Sequence, residues 1–400
     1  MISVSEAIGI IKSQAQRLPA ERVALAYALG RVLAEDIVAD SDLPPFNRAQ
    51  MDGYAVRSAD IERVPARLRV VGESAAGRGW HERLKAGEAV RIMTGAPVPP
   101  GADSVQKVEV TREADGVVEI DEATEPGQHI VTRASEIREN EVVLSAGEEI
   151  NAAKMAVLAS FGYAEILVSK RPRVAVLATG TELVNVNEKP GADQIRDSNS
   201  YSLSAYAQLA GATVERLPLA GDDPELLKLE IEDAASRSDA LILSGGVSMG
   251  VYDFTKTALR ALDAEIFFER VSLRPGKPTV FARLGRTLIF GLPGNPVSVS
   301  VTFNLFARTA LRAMQGCLDS EMKEEWAVLA RNVKGAIERA SYLPAELETS
   351  EDGRLLAQPL KWGGSSDFVA FARATALIIV PEGLRSVDAG ERVRIVHLPG

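Results

Sequence analysis

Histidine and cysteine are nearly missing from this chain of 400 residues, which has three histidines, His81, His129 and His397, and one cysteine, Cys317. None of the histidines stands at a metal-ligand spacing from another His or Cys, which argues against a zinc centre. All three lie outside residues 174–296, where the site candidates gather, so a Ser-His-Asp hydrolase is also excluded. One cysteine makes no intrachain disulfide and fits a reducing compartment; its plain reading is a small buried hydrophobe near a helix end. No apolar run approaches the ~18 residues needed to span a bilayer. The start, Met1-Ile2-Ser3-Val4-Ser5-Glu6, lacks the basic region and long apolar core of a secretory signal, so a cytoplasmic protein is expected. Positive charge is in deficit, with 45 Lys plus Arg against 55 Asp plus Glu and a net charge of −10. Such a chain has no general attraction to nucleic acid or membrane, and any anionic ligand must be held by a local cluster. Gly276-Lys277 lacks the upstream glycine and the following hydroxyl of a P-loop, and no Gly-x-Gly-x-x-Gly opens the first strand–helix turn.

What is present is ordinary globular material, 46% hydrophobic and 25% charged, long enough for two to four domains. Residues 5–17 read as a helix capped by Ser3 or Ser5, with Ile8, Ile11 and Ala15 at helical spacing. Residues 23–38 read as helix, or helix then strand, stopped at Asp42-Leu43-Pro44-Pro45. Residues 53–130 are β-rich, with runs at 67–71 and 105–110 and a turn at Ala114-Asp115-Gly116. An apolar helix at 152–161 is closed by Gly162. From Arg173 strands and helices alternate, which predicts a doubly wound α/β sheet, including a helix after Asp223 as N-cap and Pro224 at its first position. After Ser320, strands at 325–333, 342–348, 355–359, 376–380 and 392–396 predict a small barrel or sandwich.

Five Gly/Pro-rich loops follow apolar strands between residues 174 and 296. They are Thr179-Gly180-Thr181-Glu182, Gly221-Asp222-Asp223-Pro224, Ser244-Gly245-Gly246-Val247-Ser248-Met249-Gly250, Arg274-Pro275-Gly276-Lys277-Pro278 and Gly291-Leu292-Pro293-Gly294-Asn295-Pro296. Ligands of open α/β sheets bind outside the carboxyl ends of the strands, where such loops converge. The carboxylates Glu182, Asp222 and Asp253 suit Mg²⁺ shared with substrate phosphates, and the Ser244-Gly245-Gly246 turn offers N–H groups to phosphate. Arg274 and Lys277 add cations. Each residue has a plain structural alternative: Asp222 as turn partner, Asp253 as N-cap, Glu182 as a capping-box acid, Gly294 and Pro296 as turn formers. Their recurrence at successive loops favours a site for phosphate-ester or nucleotide chemistry. Two further stretches are unusual: Asp52-Gly53, a tight turn carrying a carboxylate, and Thr94-Gly95-Ala96-Pro97, a hydroxyl on a Gly/Pro loop.

These pieces, with Met51-Asp52-Gly53-Tyr54-Ala55, Thr94-Gly95-Ala96-Pro97-Val98-Pro99, Ser244-Gly245-Gly246-Val247-Ser248 and Gly291-Leu292-Pro293-Gly294-Asn295-Pro296, resemble in order and spacing the molybdopterin molybdenumtransferases, the MoeA and gephyrin E-domain family. The resemblance spans nearly the whole chain. It implies an elongated N-terminal part (1–45 and 135–168) with an inserted β-domain (46–134), a molybdopterin-binding α/β domain (169–318) and a C-terminal β-barrel (322–400). It implies a homodimer with shared active sites, acting on adenylylated molybdopterin and molybdate with Mg²⁺ and releasing AMP, alongside other cofactor-biosynthesis proteins and apo-molybdoenzymes. On that likeness Glu182, Asp222 and Asp253 are the functional carboxylates, and Asp52 and Thr94 come from the facing subunit. Ser244, Gly245, Gly246, Ser248 and Ser365 contact substrate. Arg270, Arg274 and Lys277 carry the anion, and Pro293 and Pro296 shape the last loop. Arg270 and Arg274 stand where the family often has Lys, Gln50 replaces the usual small residue, and Pro344 stands where the family has an arginine. Arg339 and Arg354 are the cations available to supply that charge. Rival readings are a molybdopterin adenylyltransferase, against which the flanking β-domains weigh, and a pterin-binding scaffold, against which the retained loop carboxylates weigh. Tungstate in place of molybdate is a third, since the two oxyanions are almost equal in size and charge.

Overall fold

The computed structural model describes residues 1–221, 223–246 and 254–399. The chain forms two compact units. One comprises Met1–Ala34, Gly147–Asn151 and Glu165–Gly400; the other comprises Glu35–Ala146 and Ala152–Ala164.

The second unit is built on a six-stranded sheet of β1 (Gly53–Val56), β2 (Ala66–Ser74), β3 (Glu88–Ile92), β4 (Ser104–Lys107), β5 (Thr111–Ala114) and β6 (Val117–Ile120), in the order β4-β1-β3-β2-β6-β5. Period-two alternation sorts its apolar residues onto two faces: Tyr54, Val56 and Ala89 join one core, and Ala55, Val90 and Ile92 the other. Asp115 and Gly116 take left-handed φ of 51° and 75°, the conformation a two-residue hairpin between β5 and β6 requires. The expected strand over 105–110 is shorter. The ladder ends at Lys107, and residues 108–110 form a 3₁₀ turn in which the Val108 N–H donates to the Asp52 carbonyl (3.0 Å).

In the first unit, α1 (Val4–Gln14) begins with a capping box. The Ser3 Oγ accepts from the Glu6 N–H at 3.2 Å, and the Glu6 carboxylate accepts from the Ser3 N–H at 2.7 Å. The helix expected within 23–38 is not formed. Ala20–Ala24 is a strand paired antiparallel with Glu165–Ser169, followed by one 3₁₀ turn, Leu25–Tyr27. A partner some 140 residues away overrides local helix propensity here.

The α/β sheet contains β7 (Arg173–Ala178), β8 (Thr213–Arg216), β9 (Ala240–Ser244), β10 (Glu265–Phe268), β11 (Val280–Leu284) and β12 (Thr287–Leu292), in the order β8-β7-β9-β12-β11-β10. β8, β7, β9 and β12 are parallel, and β11 runs against both its neighbours. The sheet is therefore mixed, with one reversed strand. Strands β7, β9 and β12 read as continuous apolar runs because both faces are covered. Val174, Val176, Ile242 and Phe290 pack on one side, and Ala175, Leu177, Leu241 and Ile289 on the other. Asn199–Leu209 connects β7 to β8, and Pro224–Arg237 crosses back to β9 on the opposite side of β7. The carboxyl ends of β7 and β9 are thus a topological switch point.

The C-terminal strands β13 (Glu324–Leu329), β14 (Ala340–Thr349), β15 (Leu355–Pro359), β16 (Ala376–Val380) and β17 (Arg392–His397) close into a five-stranded barrel, with each strand bonded to two others round the ring. Leu329, Leu343, Ile378, Val393 and Ile395 are among the residues of its core. Leu273–Arg274, on a loop of the α/β domain, pairs parallel with the start of β14 and joins the two domains.

Candidate functional site

The loops after β7, β9 and β12 are bonded to one another. The Thr179 N–H donates to the Ser244 carbonyl at 2.9 Å, and the Gly245 N–H to the Leu292 carbonyl at 3.2 Å. Glycine is required in the middle loop. Gly245 has φ +99°, and a Cβ there would lie 2.4 Å from the Thr179 carbonyl oxygen; at Gly246, with φ +64°, it would lie 2.7 Å from Thr255 Oγ1.

These loops border a cavity of about 1120 Å³, lined by Thr179–Leu183 in sequence, Gln194–Asn199 in sequence, Ser244, Gly245, Gly246, Pro278, Pro293, Gly294, Asn295, Pro296, Ser366 and Phe368. Among the described residues two side-chain carboxylates line it. Asp197 is committed to structure, accepting from the Ser200 N–H at 3.0 Å and from the Ser200 hydroxyl. Glu182 is exposed and makes no ion pair among the described residues. A Cβ on Gly180 would lie 2.4 Å from its Oε2, so the carboxylate lies over glycine backbone.

Sequence reasoning missed Asn199. Its Nδ2 donates to Ser244 Oγ (2.9 Å) and to the Gly294 carbonyl (2.7 Å), tying the helix start to two of the loops. Its Oδ1 is buried and has no hydrogen-bond partner among the described residues, an acceptor left for a ligand donor or water. Within Asp-Ser-Asn-Ser nothing distinguishes this residue from a helix cap.

A second cavity, of about 670 Å³, adjoins the first, and Pro278, Pro293 and Asn295 line both. Arg274 and Lys277 enter it from the α/β domain, and Ser365 from the barrel side. The Asn295 Nδ2 donates to Ser365 Oγ at 2.9 Å, and the Val297 N–H to the Ser365 carbonyl at 3.0 Å. Gly276, with φ +116°, permits the turn between the two cations, since a Cβ would meet Thr302 Cγ2 at 2.4 Å. Arg270 is exposed and lines neither cavity. Pro296 starts the helix Pro296–Thr302, which is continued by a π-helical turn to Ala307.

Asp52 and Thr94 lie in the other unit, and there they meet. Asp52 Oδ1 accepts from both the Thr94 N–H (2.6 Å) and the Thr94 hydroxyl (2.8 Å). The Thr94 amide first, and its hydroxyl second, hold the Asp52 carboxyl below its ordinary value of 3.8. Gly53 brings this turn against Gln106, where a Cβ would lie 2.0 Å from the carbonyl oxygen. Asp222, Ser248 and Asp253 fall outside the described residues. Among the described residues there is no cluster of three or more His, Cys, Asp or Glu able to hold a metal by itself, and no helix is long and apolar enough to cross a membrane.

Comparison with known proteins accounts for the whole chain. Residues 2–162 match the family described as MoeA N-terminal region (domain I and II). Residues 175–313 match a probable molybdopterin binding domain, and residues 326–398 the MoeA C-terminal region (domain IV). The molybdopterin molybdenumtransferase of Staphylococcus aureus is 35% identical over 399 residues, covering 99% of this chain and 95% of that protein. The protein of the same name from Bacillus subtilis is 34% identical over 405 residues, covering 99% and 94%. A solved structure of the molybdopterin biosynthesis MoeA protein from Pyrococcus horikoshii superposes with a TM-score of 0.85 at 27% identity, covering 100% of both chains. The chain belongs to the MoeA family of molybdopterin molybdenumtransferases, transferases of molybdenum cofactor biosynthesis.

Proposed function

We propose that this chain takes adenylylated molybdopterin and molybdate, places the metal on the pterin dithiolene and releases AMP with Mg²⁺ present. The observation that carries the reading is the pair of adjoining cavities. One is rimmed by glycine backbone with one uncommitted carboxylate among its described residues, and the other is cationic. The first suits the pterin and its adenylyl phosphate, with Ser244, Gly245, Gly246 and Ser248 offering donors and Asn199 orienting Ser244. The second suits molybdate, held by Arg274 and Lys277 with Ser365, while Arg270 adds charge outside it.

Glu182, together with Asp222 and Asp253, would hold Mg²⁺. One or two carboxylates plus substrate phosphate oxygens are the usual Mg²⁺ donor set, and Glu182 is such a carboxylate. When bound, the ion supplies neutralisation of the phosphate charge. The residues themselves position the phosphate against the Gly-rich turn, and Arg274 and Lys277 hold the oxyanion beside the pterin. Asp52 and Thr94 reach this site from the facing subunit of a homodimer, as an ionised carboxylate preset by the threonine. The division into 1–45 with 135–168, 46–134, 169–318 and 322–400 belongs to the same proposal, as does a cytoplasmic location.

The test is AMP release from enzyme-bound adenylylated molybdopterin with Mg²⁺ and either molybdate or tungstate. Oxyanion-dependent release that is lost in Glu182→Ala, with the pterin still bound, is expected. Pterin bound tightly and never turned over under any oxyanion would refute the transferase reading and leave a scaffold.

A further inference from the structure

Asp52 and Thr94 are both exposed, so what fixes their bond lies beneath them, and it converges on one buried serine. Ser74 ends β2 and is 0% exposed. Its carbonyl accepts from the Met93 N–H at 3.1 Å, and its hydroxyl donates to the Pro97 carbonyl at 2.7 Å. One residue therefore clasps the Thr94 loop on both sides of the threonine. The same hydroxyl accepts from the Trp80 N–H at 3.3 Å, which ties in the turn that follows β2. The opposite flank of the loop is held through main chain. There the Gly95 N–H donates to the Ala49 carbonyl at 2.8 Å, and the Ala49 N–H to the Ala96 carbonyl at 3.0 Å.

The fold aims Ser74 at this loop by means of a β-bulge. Strand β2 pairs parallel with β3, Val70 opposite Ala89 but Gly72 opposite Val90, so Val71 is one residue extra. Ala66 and Leu68 face the core that holds Tyr54. Strict alternation would send Gly72 and Ser74 to that face as well. The extra residue turns them to the other core, where Trp80 and Ala96 pack; a Cβ on Gly72 would lie 2.1 Å from the Trp80 ring. Bulges re-aim side chains in this way and recur beside active sites. Thr94 must give its amide and its hydroxyl to the same Asp52 oxygen, at 2.6 and 2.8 Å, and a small shift of the loop misaligns both. We propose that Ser74 is a positioning residue of the reaction: through Met93 and Pro97 it sets Thr94, and Thr94 sets Asp52. This inference rests on the reading above, in which Asp52 and Thr94 belong to the transferase site.

The experiment uses the full chain and compares wild type with Ser74→Ala, Ser74→Cys and Ser104→Ala. Ser104 is the matched control: it lies in β4 of the same unit, is 0% exposed, and its Oγ bonds Thr124 Oγ1 at 2.8 Å, not the Thr94 loop. For each protein the Asp52 titration midpoint is followed by side-chain carbonyl NMR, AMP release by single-turnover kinetics, and stability by thermal unfolding. Ser74→Ala is expected to raise the Asp52 midpoint toward its ordinary 3.8 and to slow AMP release about tenfold, with pterin affinity unchanged. Ser74→Cys keeps the shape with a weaker donor and should shift both in the same direction by less. Ser104→Ala should lose similar thermal stability and leave midpoint and rate at wild-type values. An unmoved midpoint in Ser74→Ala overturns the proposal. So does an equal shift in Ser104→Ala, which would mark general loosening, and so does a moved midpoint with wild-type AMP release, which would confine Ser74 to structure. No AMP release by wild type removes the transferase reading itself, while the midpoints still decide whether Ser74 sets Asp52.

Discussion

At the scale of single residues, the site depends on backbone that only glycine can supply. Gly245 combines φ +99° with a carbonyl oxygen 2.4 Å from where a Cβ would sit. Gly245→Ala should therefore cost about 1–3 kcal/mol of stability, measured by denaturant unfolding, and abolish pterin binding. Asp52 gives a second residue-scale prediction. Its carboxyl is held below 3.8 by the Thr94 amide and hydroxyl, so Thr94→Val should raise its titration midpoint, as followed by side-chain carbonyl NMR. By linkage, a carboxyl depressed in the folded state stabilises the fold above pH 3.8, and that contribution is lost as pH falls through the folded value. Asp52 and Thr94 were each legible as unusual residues, but their bond joins positions 42 apart in sequence, and no local pattern encodes such a pairing. Asn199 was hidden for a related reason. A cap-like asparagine acquires meaning only from what faces it across the fold.

At the scale of elements, local chemistry spoke clearly where local forces decide. Asp223 caps the helix Pro224–Arg237 as its Asp-Pro sequence indicates, with Oδ1 accepting from the Glu225 N–H (2.9 Å) and the Leu226 N–H (3.3 Å). Asp223→Ala should lower stability by about 1 kcal/mol. Because that helix follows the loop bearing Asp222, the same change should weaken substrate binding; Asp223→Ser should restore both. The five barrel strands were legible because alternation and turn residues bound each of them. Residues 20–38 were not, because the strand Ala20–Ala24 exists through pairing with Glu165–Ser169. The reversed direction of β11 was equally hidden, since strand direction in a sheet is a property of neighbours and connections.

At the scale of the whole molecule, the proposed site is the joint work of parts far apart in the chain and of the two subunits of the proposed homodimer. Asp52→Ala and Glu182→Ala homodimers should each be inactive. Mixing and reassorting them should recover about a quarter of wild-type AMP release, because half the dimers are mixed and one site of each mixed dimer is intact. No recovery would place both residues in a site within one subunit. Stoichiometry separates a transferase from a scaffold: molybdenum transferred to pterin and AMP released, counted together in a single turnover by the purified full chain. One metal is expected per AMP, with neither event when molybdate is left out. AMP released without metal transfer, or metal taken up with AMP retained, would contradict it.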